Sequence, residues 1–356
     1  MKETEKIYAG IAAVIILIIS VIGVYEYHIR EKEKDAGKPD LVIYAYDSFT
    51  SYGLYNATVR GFREEYGLNV SIYTFGDAGI VLSRAIIEKD HPTADIVVGV
   101  DNSLIAKALE KGIFDPYTPE NLSVVPDHLI FDSTHHVIPF DYGNIAIVYN
   151  KEYFEDNELP VPTNFTDLIK PEYKDLLIVE NPTTSSTGVA FLLWTIAVFD
   201  DEGNYTYKDY WNDLDRTIYI TTEGWIDAYE TYTRGDAPMV VSYATDPAFS
   251  VHCYNDTSSG AIIMEEGGFA QIEGMGIVKN APHREAAEKY MEYMLSEKFQ
   301  KEIPLNNWMY PVNRNVELPA VYSHAVTTDK NLSIETEDLE ENYDSWIKGW
   351  REVTGS

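Results

Sequence analysis

Short apolar runs alternate with helix-period segments along most of the chain. Leu41 to Tyr46 is an unbroken apolar run that stops at Asp47-Ser48, which predicts a strand. Thr58 to Tyr66 has helical spacing and ends at Gly67. Asn69 to Phe75 predicts a second strand, ending at Gly76-Asp77-Ala78-Gly79, and Val81 to Lys89 a helix. Ala94 to Val100 predicts a third strand, followed by Asp101-Asn102 and a helix from Leu104 to Lys111. Such alternation implies a parallel sheet covered by helices, with ligands at the carboxyl ends of the strands. Those ends carry Tyr46-Asp47-Ser48, Gly76-Asp77 and Asp101-Asn102.

The stretch Val137 to Asn150 changes the picture. Two β-type runs flank Pro139 and the group Phe140, Asp141, Tyr142 and Gly143, which predicts a hinge where the chain crosses between two α/β lobes, one bent strand inside a single sheet being the alternative. Beyond it, Leu176 to Val179 predicts a strand, Val189 to Phe199 a helix, and Gly224-Trp225 opens another helix through Arg234. Met239 to Tyr243 reads as a buried strand, and Ala270 to Val278 as a second crossing back. Ala286 to Leu295 is an amphipathic helix, Asn306 to Pro311 an aromatic loop, and Ser345 to Val353 a closing helix. The expected division is 39–138 with 272–315 as lobe 1, 142–268 as lobe 2, and 316–356 as a C-terminal segment.

The first residues follow a different pattern. After a short tail, 1–6, the run 7–25 is uncharged and long enough to cross a bilayer as a helix, and 26–38 is a charged tether. The expectation is an uncleaved, single-pass anchor in the cell membrane with the folded domain outside, cleavage being the alternative. Seven N-x-S/T sequons, at Asn56, Asn69, Asn121, Asn164, Asn204, Asn255 and Asn331, stand against roughly two expected by chance, and suggest an exterior glycoprotein.

Fifty-eight acidic residues against 27 basic ones give a net charge of −31, which argues against nucleic-acid binding. It fits a cationic ligand or a solvated acidic surface. The one cysteine, Cys253, excludes an internal disulfide and a cysteine-based zinc site, and the eight His show no metal-ligating spacing. The 27 Tyr are about twice ordinary usage, enough for both a core and a cage around a cation. Asp101 has the position of a helix cap, Asp77 that of a turn or a ligand partner. The loop Asn181 to Gly188 opens a helix and reads equally as a cap or as an anion and hydroxyl site.

These residues resemble the thiamine-binding subunits of bacterial thiamine ABC importers. The shared motifs are YAYDSF (44–49), ADIVVGVDN (94–102), PFDYG (139–143), TSSTGVAFLLW (184–194), EGWIDAY (223–229), VVSYATDPAF (240–249) and NNWMYPV (306–312), in that order. The resemblance covers about residues 40 to 353 and implies a bilobal type II periplasmic-binding-protein fold. It implies thiamine, thiamine monophosphate or thiamine diphosphate as ligand, and no cofactor or metal. Tyr46 and Trp308 would be stacking walls, Asp77 the acidic partner and Ser185 a polar contact. Trp225 and Tyr243 would line the second lobe. Phe249 stands where the family usually has Tyr, keeping the ring face without the hydroxyl.

The implied function is an extracytoplasmic, membrane-tethered solute-binding protein, a monomer that delivers its ligand to an ABC permease and does no chemistry. Three other functions remain in view. Thiaminase I has the same fold and a cleft cysteine; here the only candidate is Cys253, read as a small buried helix residue. Ferric iron or another organic cation would keep the fold and change the cargo. A sensor ectodomain would need an output domain that the six residues before the apolar run do not supply.

Overall fold

The structure, a computed structural model, describes residues 39–200 and 203–355; the apolar run 7–25 and the tether 26–38 lie outside them. The strands are β1 (Leu41–Ala45), β2 (Val70–Thr74), β3 (Ile96–Asp101), β4 (Phe114–Asp115), β5 (Ile138–Asn150), β6 (Leu177–Glu180), β7 (Ile218–Thr222), β8 (Met239–Tyr243), β9 (Ser259–Ile262), β10 (Gly268–Val278), β11 (Tyr310–Pro311) and β12 (Asn331–Leu332). The main path of the sheet runs β2-β1-β3-β10-β5-β8-β6-β7. Strands β2, β1 and β3 are mutually parallel, and so are β8, β6 and β7. Between these two parallel blocks, β10 and β5 pair antiparallel with each other and with the block beside each.

Helices cover the blocks as the alternation predicts. β1 and β3 are buried at every position because both faces are covered. Helix Ala78–Ile87 buries Ala78, Val81, Leu82 and Ala85, one stripe at helical spacing. It starts three residues before the predicted Val81 because the Asp77 side chain caps it. The segment expected as a helix from Thr58 begins with a π-helical stretch, Asn56–Gly61, continues as Phe62–Tyr66, and stops at Gly67 with φ of 71°.

The expected break at Pro139 takes a different form. β5 is one strand of 13 residues, and Pro139 lies inside it. Its register against β10 shifts between Glu273 and Gly274, which face Asp141 and Pro139, so Phe140 is the extra residue of a bulge. Proline donates no hydrogen bond, and a bulge absorbs that loss without ending the strand. The Phe140 ring is fully buried against Phe49, and its carbonyl accepts from Gln300 Nε2 at 2.8 Å. β5 thus leaves β10 and continues into β8 and β9 without interruption.

The predicted closing helix is longer than expected, Thr336–Thr354. It packs on helices Tyr207–Leu214 and Ile105–Lys111, with Trp350 against Trp211 at 6.0 Å between ring centroids.

Candidate ligand-binding cleft

The carboxyl ends of strands from both blocks face one cavity of about 320 Å³, the size of a small-molecule site. From one block come Tyr46 and Tyr52 after β1, and Gly76 and Asp77 after β2. From the other come Ser186 and Thr187 after β6, Trp225 after β7, and Tyr243, Asp246 and Phe249 at and after β8. Glu273 of β10 and the loop Asn307, Trp308 and Met309 complete it. Seven lining side chains are aromatic, six are acidic, and none is Lys, Arg or His.

Small residues and one unusual backbone make the aromatic wall possible. Gly99 of β3 has φ of +106°, and a Cβ there would come within 2.5 Å of the Tyr46 ring. The missing side chain is therefore what lets Tyr46 lie across the strand. Trp308 has φ of +60°, left-handed backbone that a bulky residue seldom adopts. The rest of the loop holds it there, the Trp308 N–H donating to Ile303 O at 3.1 Å. Its ring meets Phe249 edge-on at 5.1 Å, and Phe249 meets Tyr52 edge-on at 5.5 Å. Trp225 stacks on Tyr229 at 5.0 Å and donates its ring N–H to Ser242 Oγ at 2.8 Å.

The acids divide by their partners. Asp77 is bonded across the two blocks. Its Oδ1 accepts from the N–H groups of Ala78 (2.7 Å) and Ser186 (3.0 Å) and from Ser186 Oγ (3.2 Å). Its Oδ2 accepts from Ser185 Oγ (3.0 Å) and Trp225 N–H (3.3 Å). Three helix N-termini, at Ala78, Ser186 and Trp225, thus converge on one carboxylate, the arrangement their dipoles favour. The approach is close, since a Cβ on Gly79 would lie 2.8 Å from Thr184 O.

Deeper in, Tyr46 donates to Glu273 Oε2 and Asn307 Nδ2 donates to Asp141. Burial, opposed by that Tyr46 bond and reinforced by the charges of Asp101 and Asp77, pushes Glu273 up to about 8. Burial and then repulsion by Glu273 hold Asp141 well above the usual carboxylate range. Charge on either of these neighbouring buried carboxyls opposes ionisation of the other, which favours a proton held between them. Asp101 caps the turn after β3, accepting from Ser103 and Leu104 N–H, and its other oxygen accepts from Gln271, whose Oε1 takes the Tyr243 hydroxyl at 2.9 Å. Burial pushes Asp101 up to about 6 and Asp246 up to about 7.

Of the expected site residues, Tyr46, Asp77, Trp225, Tyr243, Phe249 and Trp308 line the cavity. Ser185 lies behind the lining, buried, with Oγ shared between Asp77 and the N–H of Gly188, which it caps at 3.3 Å. Its neighbours Ser186 and Thr187 face the cavity instead. Of the four expected hinge residues, Asp141 reaches the site through Asn307, Phe140 forms the bulge, and Tyr142 stacks on Tyr310 at 5.4 Å. Gly143 pairs with Gln271 of β10. Cys253 is exposed rather than buried and is not in the lining. Helix Asp246–Tyr254 buries its first five residues, and its last turn faces out.

Tyr229, Asp246, Glu273 and Asn307 were not expected. Glu273 had a signal, a single acid within the apolar run of β10. Tyr229 lies four residues after Trp225, one helical turn on, and Asp246 sits within the quoted VVSYATDPAF motif.

Known proteins resemble the chain in sequence and fold over most of its length. Residues 91–342 match the family model of bacterial extracellular solute-binding proteins. The thiamine-binding periplasmic protein of Brucella melitensis is 30% identical over 321 residues, spanning 89% of this chain and 92% of that protein. Its counterpart in Escherichia coli is 29% identical over 316 residues, spanning 88% and 93%. A solved periplasmic thiamin binding protein superposes with a TM-score of 0.81 at 28% identity, over 88% of this chain and 96% of its own.

These relatives are periplasmic by name, which overturns the expected localisation as a single-pass protein of the cell membrane. An apolar run near a chain start is common to anchors and targeting segments, so its length alone does not separate them. Among the described residues no helix is long and apolar enough to cross a membrane. Matched by the family model over more than half its length, and sharing the α/β periplasmic-binding-protein fold of the solved relative, the chain belongs to the bacterial extracellular solute-binding proteins.

Proposed function

We propose that the protein captures thiamine in this cleft, outside the cytoplasm, and delivers it as a monomer to an ABC permease. The observation that carries the proposal is the lining itself, seven aromatic and six acidic side chains with no basic one. The thiazolium of thiamine is a permanent cation and cannot shed its charge by losing a proton. Its desolvation has to be offset by ring faces and carboxylates, and this cleft offers both. Tyr46, Trp225, Tyr243, Phe249 and Trp308 supply the faces, and Asp77 and Glu273 the negative potential. The named function of the relatives supports the same cargo. A phosphate ester of thiamine would place its anion at the helix N-termini by Ser186, Thr187 and Gly224, beside the Asp77 carboxylate.

Residues 39–138 with 272–315 form one lobe in this proposal and 142–268 the other, and Phe140 to Gly143 flex as the cleft opens. Asp77 then closes it, since its partners Ser185, Ser186 and Trp225 belong to the opposite lobe. The thiaminase alternative is not favoured, because Cys253 sits outside the cavity. Iron binding is not favoured either. The relatives described above are named for thiamine.

Calorimetric titration with thiamine, thiamine monophosphate, thiamine diphosphate and ferric citrate tests the proposal. One-to-one binding of thiamine is the expected result. Heat with ferric citrate alone would replace the cargo and leave the fold standing.

A further inference from the structure

We propose that Asp246 is the residue that reads the identity of the ligand, accepting a hydrogen bond from an amino group on the ligand's uncharged ring. This rests on the thiamine proposal and adds to it a specificity determinant that stacking alone does not provide.

Three carboxyls of the cavity lining, Asp77, Glu273 and Asp246, differ in what they have left to offer. Asp77 already accepts five hydrogen bonds from the protein. Glu273 is engaged by Tyr46 and faces Asp141. Asp246 borders the cavity at 4% exposure, and its Oδ2 meets no donor of the protein. Its other contacts, with Ser242 and the backbone of Tyr243, leave that oxygen unserved. A buried acceptor without a donor costs stability in the free protein, and a ligand that brings one recovers it on binding.

The surroundings decide what kind of donor fits. Asp246 lines the cavity together with Tyr52 and Tyr229. Both rings pack on Phe249, one helical turn after Asp246. The corner is therefore walled by flat rings with one open acceptor among them. A thiazolium has no N–H, so it can stack here without satisfying the oxygen. The aminopyrimidine ring of thiamine is flat, apolar on both faces, and carries an exocyclic amino group at its edge. Stacking and the missing donor are met together by that ring and not by the cation. Burial pushes Asp246 up to about 7, which its contacts with Ser242 and the Tyr243 backbone offset only in part.

The test uses three probes on the purified protein. These are thiamine, oxythiamine (in which the ring amino donor is replaced by a carbonyl acceptor) and pyrithiamine (in which the aminopyrimidine is kept and the thiazolium replaced by a pyridinium). The unaltered protein is expected to bind thiamine at least about tenfold tighter than oxythiamine, and pyrithiamine close to thiamine. Asp246→Asn is nearly isosteric, and its amide can turn either edge to the ligand. It is expected to level the preference for thiamine over oxythiamine while keeping the unaltered thermal midpoint or raising it.

Equal affinity for thiamine and oxythiamine in the unaltered protein would overturn the assignment, as would an undiminished preference in Asp246→Asn. If that variant does not fold, Asp246→Ser is measured in its place, and the comparison of probes on the unaltered protein still decides. Failure of thiamine itself to bind would count against the proposed cargo first, and is told apart by the absence of heat with all three probes.

Discussion

Two aromatic clusters in this protein look alike in composition and differ in every other respect. Behind the sheet, Phe165, Phe191, Trp194, Tyr210 and Trp211 pack edge to face and are fully buried. Their polar edges are spent on the protein. Trp194 Nε1 donates to Gly267 O at 2.7 Å, Trp211 Nε1 to Thr195 Oγ1 at 2.8 Å, and Tyr210 to Phe165 O at 3.1 Å. In the cleft, Tyr52, Trp225, Tyr229, Phe249 and Trp308 surround open volume, and two of the acids among them, Asp246 and Glu273, are held above the ordinary carboxylate range, Asp246 with one oxygen that meets no donor. A high tyrosine content therefore has two physical meanings here. Rings that close on each other make a core. Rings that close on carboxyls with no cation between them make a site for one.

The sharpest way to break this contrast is to truncate one member of each cluster. Trp211→Ala should cost about 3–5 kcal/mol of stability in denaturant unfolding, because it leaves a large cavity in a packed core. The thiamine affinity of the folded fraction should not change. Trp308→Ala should do the converse, weakening thiamine binding by about 1–3 kcal/mol with a much smaller effect on unfolding. If both variants lose stability alike, the cleft cluster is core as well.

Asp77→Asn should have a smaller effect on affinity, about 1–2 kcal/mol, larger at low salt, measured by titration at two ionic strengths. Both the local charge and a good acceptor for the opposing helix N-termini are lost in that change.

The dependence on pH sharpens the comparison further. Asp101, Asp246 and Glu273 have folded values raised to about 6, 7 and 8. The folded state therefore binds more protons than the unfolded one from about pH 4 up to 8, and the stability of the ligand-free protein should fall as pH rises through that window. Asp167, Asp209 and Glu285 are lowered instead, and their contribution is lost only at more acid pH. Thermal midpoints at pH 5.5 and 8 would show the decline, and a bound cation should reduce it. The smallest effect is expected of Cys253→Ala, which should alter neither affinity nor the amount of thiamine recovered after incubation.

Much of the fold was legible because strand and helix patterns are local. β8 was read to the residue, and β1, β2, β3 and β6 to within one or two positions at either end. β5 was less legible, since Pro139 reads as a stop, and only its pairing with β10 shows that a bulge accommodates it. At the site, motif resemblance placed six of seven expected residues in the lining. It did not show that Ser185 faces Asp77 and not the cavity, a contact 108 residues apart in the chain. Asp246 was hidden for a related reason. Its local signal is that of a helix start before Pro247, and only the folded surroundings reveal an acceptor without a donor.

The most direct test of the contrast is hydrogen exchange, read by peptide mass, with and without saturating thiamine. The account predicts added protection in peptides covering Tyr46 to Tyr52, Gly76 to Gly79, Gly224 to Tyr229, Tyr243 to Phe249 and Asn307 to Met309, with little change in peptides spanning Phe191 to Trp211. Protection spread evenly over both clusters, or absent from the cleft peptides, would contradict it.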